Sequence, residues 1–426
     1  MSKESICLLT TAHTAYNPRL VKEADALAAA GYRVRVVAMN QEPEKWALDQ
    51  ALAATRPWRL EVVTAQRRGP GRALWLRAVF RQRCWQWTTR LLSTRGGRTR
   101  AYSRFAPELA HLAMQQRADL FISHTLPALP AAAYAARHWS AKLGFDLEDF
   151  PSGMRPLHAP PTREDLLEDA VESDYLPACV HLTAASPGVA AATAPRCGGR
   201  VPVAVLNVFR LAERPATRPP RRVGGPLRLY WFSQVVGTDR GLEDALGALR
   251  RLPEGAAELH LRGRCDAAAR QYLDALMRAT GVDGRRVIVH PPAPPDQLVA
   301  GCADYDVGLA LEVPVSRNRM ICMDDLCTNK VFTYLMGGLA LAASALKQGG
   351  IIYEGAGFSY PSGDDGALAA GLRRWLDQPD GLQRARDKAW EVATTRYNWE
   401  TEQHQFLATV ARSLAAPTIS SDRSKT

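Results

Sequence analysis

What most restricts the fold of this chain is the order of events between residues 5 and 37. Ile6-Cys7-Leu8-Leu9 is a short apolar run of strand character, and the polar stretch Thr11 to Asn17 reads as a loop. Asn17-Pro18 then has the chemistry of a helix start. The Asn side chain can accept from a free first-turn amide, and Pro brings a φ already suited to the helix. Leu20, Ala24 and Leu27 share one helical face, and Gly31 suits the left-handed stop that follows. Val34, Val36 and Val37 form a β-branched strand. Strand, crossover helix and strand make a βαβ unit, which commits the chain to a parallel sheet covered by helices.

The rhythm returns at Asp119–Ser123 and Lys142–Asp146, each followed by a loop and a helix-like stretch. It pauses in RLAERPATRPPRRVGGP, residues 210–226, where Pro, Gly and Arg replace large apolar side chains. A second series begins with Leu227–Phe232 and a helix from Leu242, then repeats at Glu258–Arg262, Val287–His290, Val307–Leu311 and Ala340–Ala343. The 426 residues exceed what one core organises. The expectation is an α/β chain of two doubly wound parallel-sheet domains facing a cleft: 1–208, a linker at 209–226, and 227–395. Residues 416–426 are expected to be a disordered tail. Open parallel sheets bind ligands at the carboxyl ends of their strands, so the loops there are where chemistry is sought.

The net charge of +11 is concentrated, because residues 67–104 hold eleven arginines and no acidic side chain. Trp75, Phe80, Trp85 and Trp87 alternate with Arg72, Arg77, Arg81, Arg83 and Arg90. That mixture suits a helix resting on anionic lipid headgroups. It equally suits a solvated basic face whose tryptophans pack inward, which is the plainer account. Nucleic acid ranks last as a partner, since no binding module accompanies the patch. The eight cysteines show no metal-ligand spacing and fit reduced thiols. No apolar stretch reaches a bilayer-spanning length, and the N-terminus lacks the pattern of a signal peptide. The expected location is therefore cytoplasmic, with peripheral attachment to the inner face of the membrane left open.

The segment Asp325–Ser344 carries the most specific chemistry. Thr328 can cap a helix running to Met336, and Gly337-Gly338 end it before a short strand. Free amides at that helix start, beside Lys330, make an anion site of the kind phosphates use. A plain capped helix packing on a sheet would look the same.

Read with its neighbours, the segment resembles the NK-x-F-E-Y-x-x-x-G-x-P-V-V-A-S signature of family 4 glycosyltransferases, which have the GT-B fold of two Rossmann-like domains. Pro18-Arg-Leu-Val-Lys-Glu-Ala24 with Ala30-Gly-Tyr-Arg-Val34 is similar to that family's opening helix and second strand. Ser123-His-Thr-Leu-Pro-Ala-Leu-Pro130 is similar to its H-x-H-D-x-P-x-L-P loop, and Tyr397-Asn-Trp-Glu400 to the motif before its final helix. The resemblance implies that a helix within 396–415 crosses back to the N-terminal domain.

It also implies roles. His124 would lie under the transferred sugar, and Asp325, the first acidic position of an E-x7-E pair, would hydrogen-bond the donor sugar; these two are the catalytic candidates. Arg240-Gly241, Asn329 and Lys330 would hold the donor diphosphate. Two positions depart from the family, both on the ribose and sugar side of the donor: Thr333 replaces the second Glu of the pair, and Gln234 replaces an Arg. Asp146 and Glu148 follow a strand end, where they either face the cleft or cap the next helix. The implied activity is transfer of a sugar from a nucleotide diphosphate sugar to an unidentified acceptor, a glycan or glycolipid being compatible, with retention and with neither metal nor cofactor. A sugar-nucleotide epimerase of the same fold and a non-catalytic binding relative are the rival readings.

Overall fold

The computed structural model describes residues 4–218, 220, 224–346 and 351–417, with the side chains of 351 and 352 excepted. The chain forms two compact units. One comprises residues up to Val205 together with the segment from Gln403 onward, and the other runs from Leu206 to Glu402.

The first unit is built on seven strands: β1 (Ser5–Leu9), β2 (Arg33–Asn40), β3 (Arg59–Thr64), β4 (Leu120–Ser123), β5 (Lys142–Leu147), β6 (His181–Ala184) and β7 (Val203–Ala204). They lie in the order β3-β2-β1-β4-β5-β6-β7, and every pairing is parallel. The opening unit forms as its residues dictate. The Asn17 side chain accepts from the Leu20 amide at 2.9 Å, Pro18 opens the helix Pro18–Ala29, and Gly31 follows it at φ +90°.

The second unit repeats the plan with β8 (Leu227–Val235), β9 (Ala257–Arg264), β10 (Val287–His290), β11 (Val307–Ala310), β12 (Ala340–Ala345), β13 (Ile351–Ile352) and β14 (Gly357–Pro361). The order is β10-β9-β8-β11-β12-β14-β13, parallel throughout except for the antiparallel edge strand β13. Leu229, Trp231, Leu259, Leu261, Leu309 and Ala342 join the helix residues Leu242, Leu246 and Leu249 in its core. Gly308 in β11 is needed for close approach: a Cβ there would stand 2.2 Å from the Tyr334 ring. In both sheets the strand order reverses beside the first strand, between β1 and β4 and between β8 and β11. Such a switch point opens a crevice at the strands' carboxyl ends.

Several elements were not apparent in the sequence. Strands β3, β6, β7, β13 and β14 are absent from the expectation, as is the helix Arg317–Asp325. Edge strand β3 is only half-buried, and β6 reads His-Leu-Thr-Ala, so neither shows a sustained apolar run. Residues 209–218 of the expected linker are tied down within the second unit. Leu211–Glu213 is a 3-10 turn, the Leu211 amide donates to Glu400 at 3.0 Å, and Arg214 donates to Thr394 at 2.6 Å while lying over the Trp390 ring. The helix Trp399–Ala415 begins in the second unit, where its first amide donates to Phe209 at 2.8 Å, and the rest of it belongs to the first. Of the expected tail, residues 418–426 lie outside the described residues.

The arginine-rich segment folds as the helices Arg72–Thr88 and Arg95–Tyr102. Its aromatic residues divide. Trp75 and Trp85 are half-buried beneath Arg67 and Arg100, whereas Phe80 and Trp87 face outward, so the expectation of inward tryptophans holds for only part of the run. Among the described residues, no helix is long and apolar enough to cross a membrane.

Candidate functional site

At the switch point of the N-terminal sheet, β4 delivers His124, β5 delivers Asp146, and the helix after β1 delivers Arg19 and Glu23 from one face, four residues apart. The Arg19 guanidinium grips Asp146 with both prongs, Nε to Oδ2 at 2.6 Å and Nη2 to Oδ1 at 2.7 Å, and gives a third hydrogen bond to the Val205 carbonyl at 2.6 Å. Thr183 adds a hydroxyl donor to Asp146 at 2.6 Å. The His124 ring is wholly enclosed, with carboxylate oxygens of Glu23, Asp146 and Glu148 at 3.4, 3.5 and 3.6 Å. Neither ring nitrogen makes a well-directed hydrogen bond, so charge attraction holds the ring in place.

These neighbours set protonation. Burial works against an imidazolium, but Glu23, Asp146 and Glu148 outweigh it and raise His124 to about 10. Burial, reinforced by Asp146, pushes Glu23 up to about 8. Burial also opposes the Asp146 carboxylate, yet Arg19 and His124 hold it well below the usual range. Arg19 and His124 thus face the carboxyl groups of Glu23 and Asp146 in one buried cluster. Glu23, His124 and Asp146 offer ligand atoms within 4.8 Å of one another. Arg19 engages both oxygens of Asp146 within this group.

This arrangement corrects two expectations. Asp146 neither faces open space nor caps a helix, because its carboxylate is consumed by a buried ion pair. His124 stands at the strand end as expected, but its enclosed ring has carboxylates for neighbours and no open face for a sugar. Glu148 is half-buried and accepts from the Asn17 side chain at 2.6 Å. The loop after β1 is fixed by a second buried pair. His13 Nδ1 meets Asp49 at 2.6 Å, while its Nε2 accepts from the Gln41 and Glu42 amides at 3.2 Å each. Asp49 also takes the Thr14 hydroxyl at 2.8 Å and the Ala15 amide at 2.7 Å.

The C-terminal sheet places a different chemistry at its own switch point. Glu312, just past β11, accepts from Lys330 Nζ at 2.9 Å and from Arg319 Nη1 at 2.5 Å. Its backbone is pinned as well: its amide donates to Ser344 Oγ at 2.6 Å, and its carbonyl accepts from Ser362 Oγ at 3.0 Å. Gly241, at φ +71°, sits directly beside it, since a Cβ there would lie 3.0 Å from Leu311 Cβ and 3.7 Å from the Glu312 amide nitrogen. The helix Leu242–Arg251 starts at Gly241 with no side-chain cap, leaving first-turn amides available. Arg240, one residue earlier, makes no ion pair or hydrogen bond among the described residues.

The structure therefore brings Gly241 and Lys330 together around Glu312. Thr328 caps the helix Asn329–Met336 as expected, accepting from Val331 N at 3.4 Å, and the exposed Asn329 side chain accepts from Asn207 at 3.1 Å. Thr333 is not available in the manner expected. It is 1% exposed, and its hydroxyl donates to the Asn329 carbonyl at 2.7 Å inside the helix. Gln234 is exposed at the end of β8, and half-buried Asp325 closes the helix Arg317–Asp325. Sequence reasoning missed Arg19, Glu23, Glu312 and Arg319. Charged residues at i, i+4 in a helix otherwise rich in apolar positions, and an acid directly after an apolar strand, were the available signals.

No protein-family model matches the chain, and no curated protein matches it either. Solved structures match along nearly its whole length. Sucrose-phosphate synthase from Thermosynechococcus elongatus superposes with a TM-score of 0.70 at 16% identity, covering 97% of this chain and 100% of that one. HepE of Anabaena, solved with UDP and in another structure with UDP-glucose, gives 0.66 in the UDP complex at 16% identity, covering 96% and 100%. The lipopolysaccharide outer core galactosyltransferase WaaB gives 0.59 at 11% identity, covering 96% and 99%. The two parallel-sheet α/β domains of this chain have the fold of GT-B glycosyltransferases.

Proposed function

We propose that the chain is a glycosyltransferase that moves a sugar from a nucleotide diphosphate sugar to an acceptor. The observation that carries this reading is the convergence of Gly241, an uncapped helix start and Lys330 on Glu312 at the C-terminal switch point. Lys330 and Arg319 share one carboxylate, which leaves a surplus positive charge, and Arg240 beside Gly241 adds another. Together with the helix amides this suits a diphosphate, whose oxygens accept from guanidinium forks and backbone N–H groups. The UDP and UDP-glucose complexes of HepE make UDP-glucose the first donor to test.

In this reading Arg240, Gly241, Asn329 and Lys330 hold the diphosphate, with Arg319 added to the set, and Asp325 bonds the sugar. The bond between the anomeric carbon and the leaving phosphate oxygen breaks as an acceptor oxygen attacks the same face, so configuration is retained. The acceptor proton passes to the departing phosphate. The cations and helix amides stabilise the charge that develops there, the term such transfers need most, without calling on a metal. His124, enclosed among carboxylates, acts here as a positioning residue for the loop after β4. The engaged hydroxyl of Thr333 means that ribose recognition falls to other groups, and with the Gln234 replacement it favours a non-catalytic relative.

Incubating the full chain with UDP-glucose, with and without candidate glycan and glycolipid acceptors, and measuring UDP release separates the readings. Acceptor-dependent release supports transfer. Interconversion of the nucleotide sugar without release indicates an epimerase, and a chain that neither binds nor hydrolyses any nucleotide sugar favours a non-catalytic relative. Asp325→Ala and Arg240→Ala are each expected to abolish transfer while leaving the thermal melt unchanged; wild-type rates in both would remove the site assignment.

A further inference from the structure

The helix Arg72–Thr88 turns one face into its own domain and leaves the opposite face bare. On the inner side Ala78 is fully buried, Gln82 donates to the carbonyls of Ala101 and Tyr102 at 3.0 Å each, and Gln86 donates to Ala101 at 3.2 Å. Arg81 clamps Glu108 with two bonds of 2.7 Å. These contacts fix which way the helix is rotated and hence what it shows to the outside.

The outward face is apolar. Leu76 is 49% exposed, Phe80 72% and Trp87 64%, and Leu91 and Leu92 just beyond the helix are 81% and 65% exposed. At 3.6 residues per turn, positions 76, 80 and 87 fall within about 40° of each other, a single ridge. Five of the eleven large hydrophobic side chains exposed among the described residues lie in this stretch, so the exposure is concentrated where scatter would be ordinary. Arg72 and Arg83 run along one side of the ridge and Arg77 along the other, with Arg90 past its end, and all four are exposed. Arg72, Arg83 and Arg90 pair with no carboxylate among the described residues, and Arg77 stands 3.9 Å from Glu108 at 71% side-chain exposure.

We propose that this ridge, Leu76-Phe80-Trp87 with Leu91 and Leu92, seats the protein on an anionic lipid bilayer. The charge pattern selects this occupant: residues 67–104 contain no acid to meet a basic partner, and guanidinium groups flanking an apolar line match headgroup phosphates above acyl chains. The helix is too short and too charged to span the membrane, so attachment is interfacial and reversible. The proposal is independent of the reaction the chain carries out.

The test uses the full chain and flotation with two kinds of vesicle, phosphatidylcholine alone and phosphatidylcholine with one third phosphatidylglycerol. The expected result is flotation with the anionic vesicles only, released by salt. Arg72→Gln with Arg83→Gln is expected to lower the partition coefficient by a factor on the order of thirty, each arginine near such a surface contributing about fivefold. Phe80→Ser with Trp87→Ser is expected to abolish flotation with no change in circular dichroism. Leu91→Ser with Leu92→Ser, beyond the helix and so safer for folding, is expected to weaken it. Equal flotation on both vesicles, no flotation of the wild type, or flotation indifferent to all three variants would overturn the proposal. So would a wild-type dimer that the Phe80 and Trp87 changes split, which would make the ridge a seat for a second copy. Retention on duplex DNA without flotation would reassign the patch to nucleic acid.

Discussion

Replacing Arg19 by methionine removes a guanidinium that is 1% exposed while keeping much of the volume of its stem. The variant loses the two bonds to Asp146, at 2.6 and 2.7 Å, and the bond to Val205 that ties the helix Pro18–Ala29 to the chain leaving β7. Asp146, itself 1% exposed, is then left without its main counter-charge and with the acid of Glu23 close by. Removing one partner of a buried pair costs about 3–5 kcal/mol, because the other charge remains buried. At about 1.4 kcal/mol per factor of ten, backbone amides that exchange through opening of this sheet should exchange roughly a hundred to several thousand times faster. Hydrogen–deuterium exchange of peptides covering β5, with peptides covering β11 as the control in the other unit, reads this directly. Two companions sharpen it. Lowering the pH, which protonates Asp146, should narrow the gap to wild type, and adding Asp146→Leu to Arg19→Met should recover part of the protection. Less than about fivefold acceleration in β5, or equal acceleration in both units, would refute the view that this pair anchors the N-terminal switch point.

Stability of the N-terminal unit should fall on both sides of neutrality. His124, raised to about 10, and Glu23, raised to about 8, bind more protons folded than unfolded, so the Glu23 contribution is lost as pH rises from the ordinary carboxyl range through about 8 and the His124 contribution as pH rises from the ordinary histidine value through about 10. His181, lowered by burial to about 4, acts oppositely and its contribution is lost as pH falls below the ordinary histidine value. Thermal melts across this range check the shape; a flat alkaline limb in wild type, or an unchanged one in His124→Gln, would count against it. Gly308→Ala places a methyl group 2.2 Å from the buried Tyr334 ring and should destabilise the C-terminal unit by about 1–3 kcal/mol, seen as an earlier calorimetric transition. Lys330→Ala should weaken UDP binding about ten- to a hundredfold by calorimetry, the worth of a charge-assisted bond, and an unchanged affinity would detach Lys330 from the diphosphate.

The sequence by itself determined the architecture. The Asn17-Pro18 start, the Gly31 stop and the valines of β2 are local signals that act within a few residues, and they recur often enough to define two parallel sheets. The same locality made Thr328 legible as a cap. What only the tertiary structure decided is which charges meet. Arg19 finds Asp146 127 positions away, and Glu312 finds Ser344 on β12, because strands distant in sequence become neighbours in the sheet. No periodicity encodes such a meeting. For that reason Asp146 read as an acid facing the cleft or capping the next helix, and Thr333 as an available hydroxyl, until the partners that occupy them were in place. The arginine run shows the same division: its composition named the candidate partners, but only the rotation fixed by Ala78, Gln82 and Gln86 decided that Phe80 and Trp87 face outward.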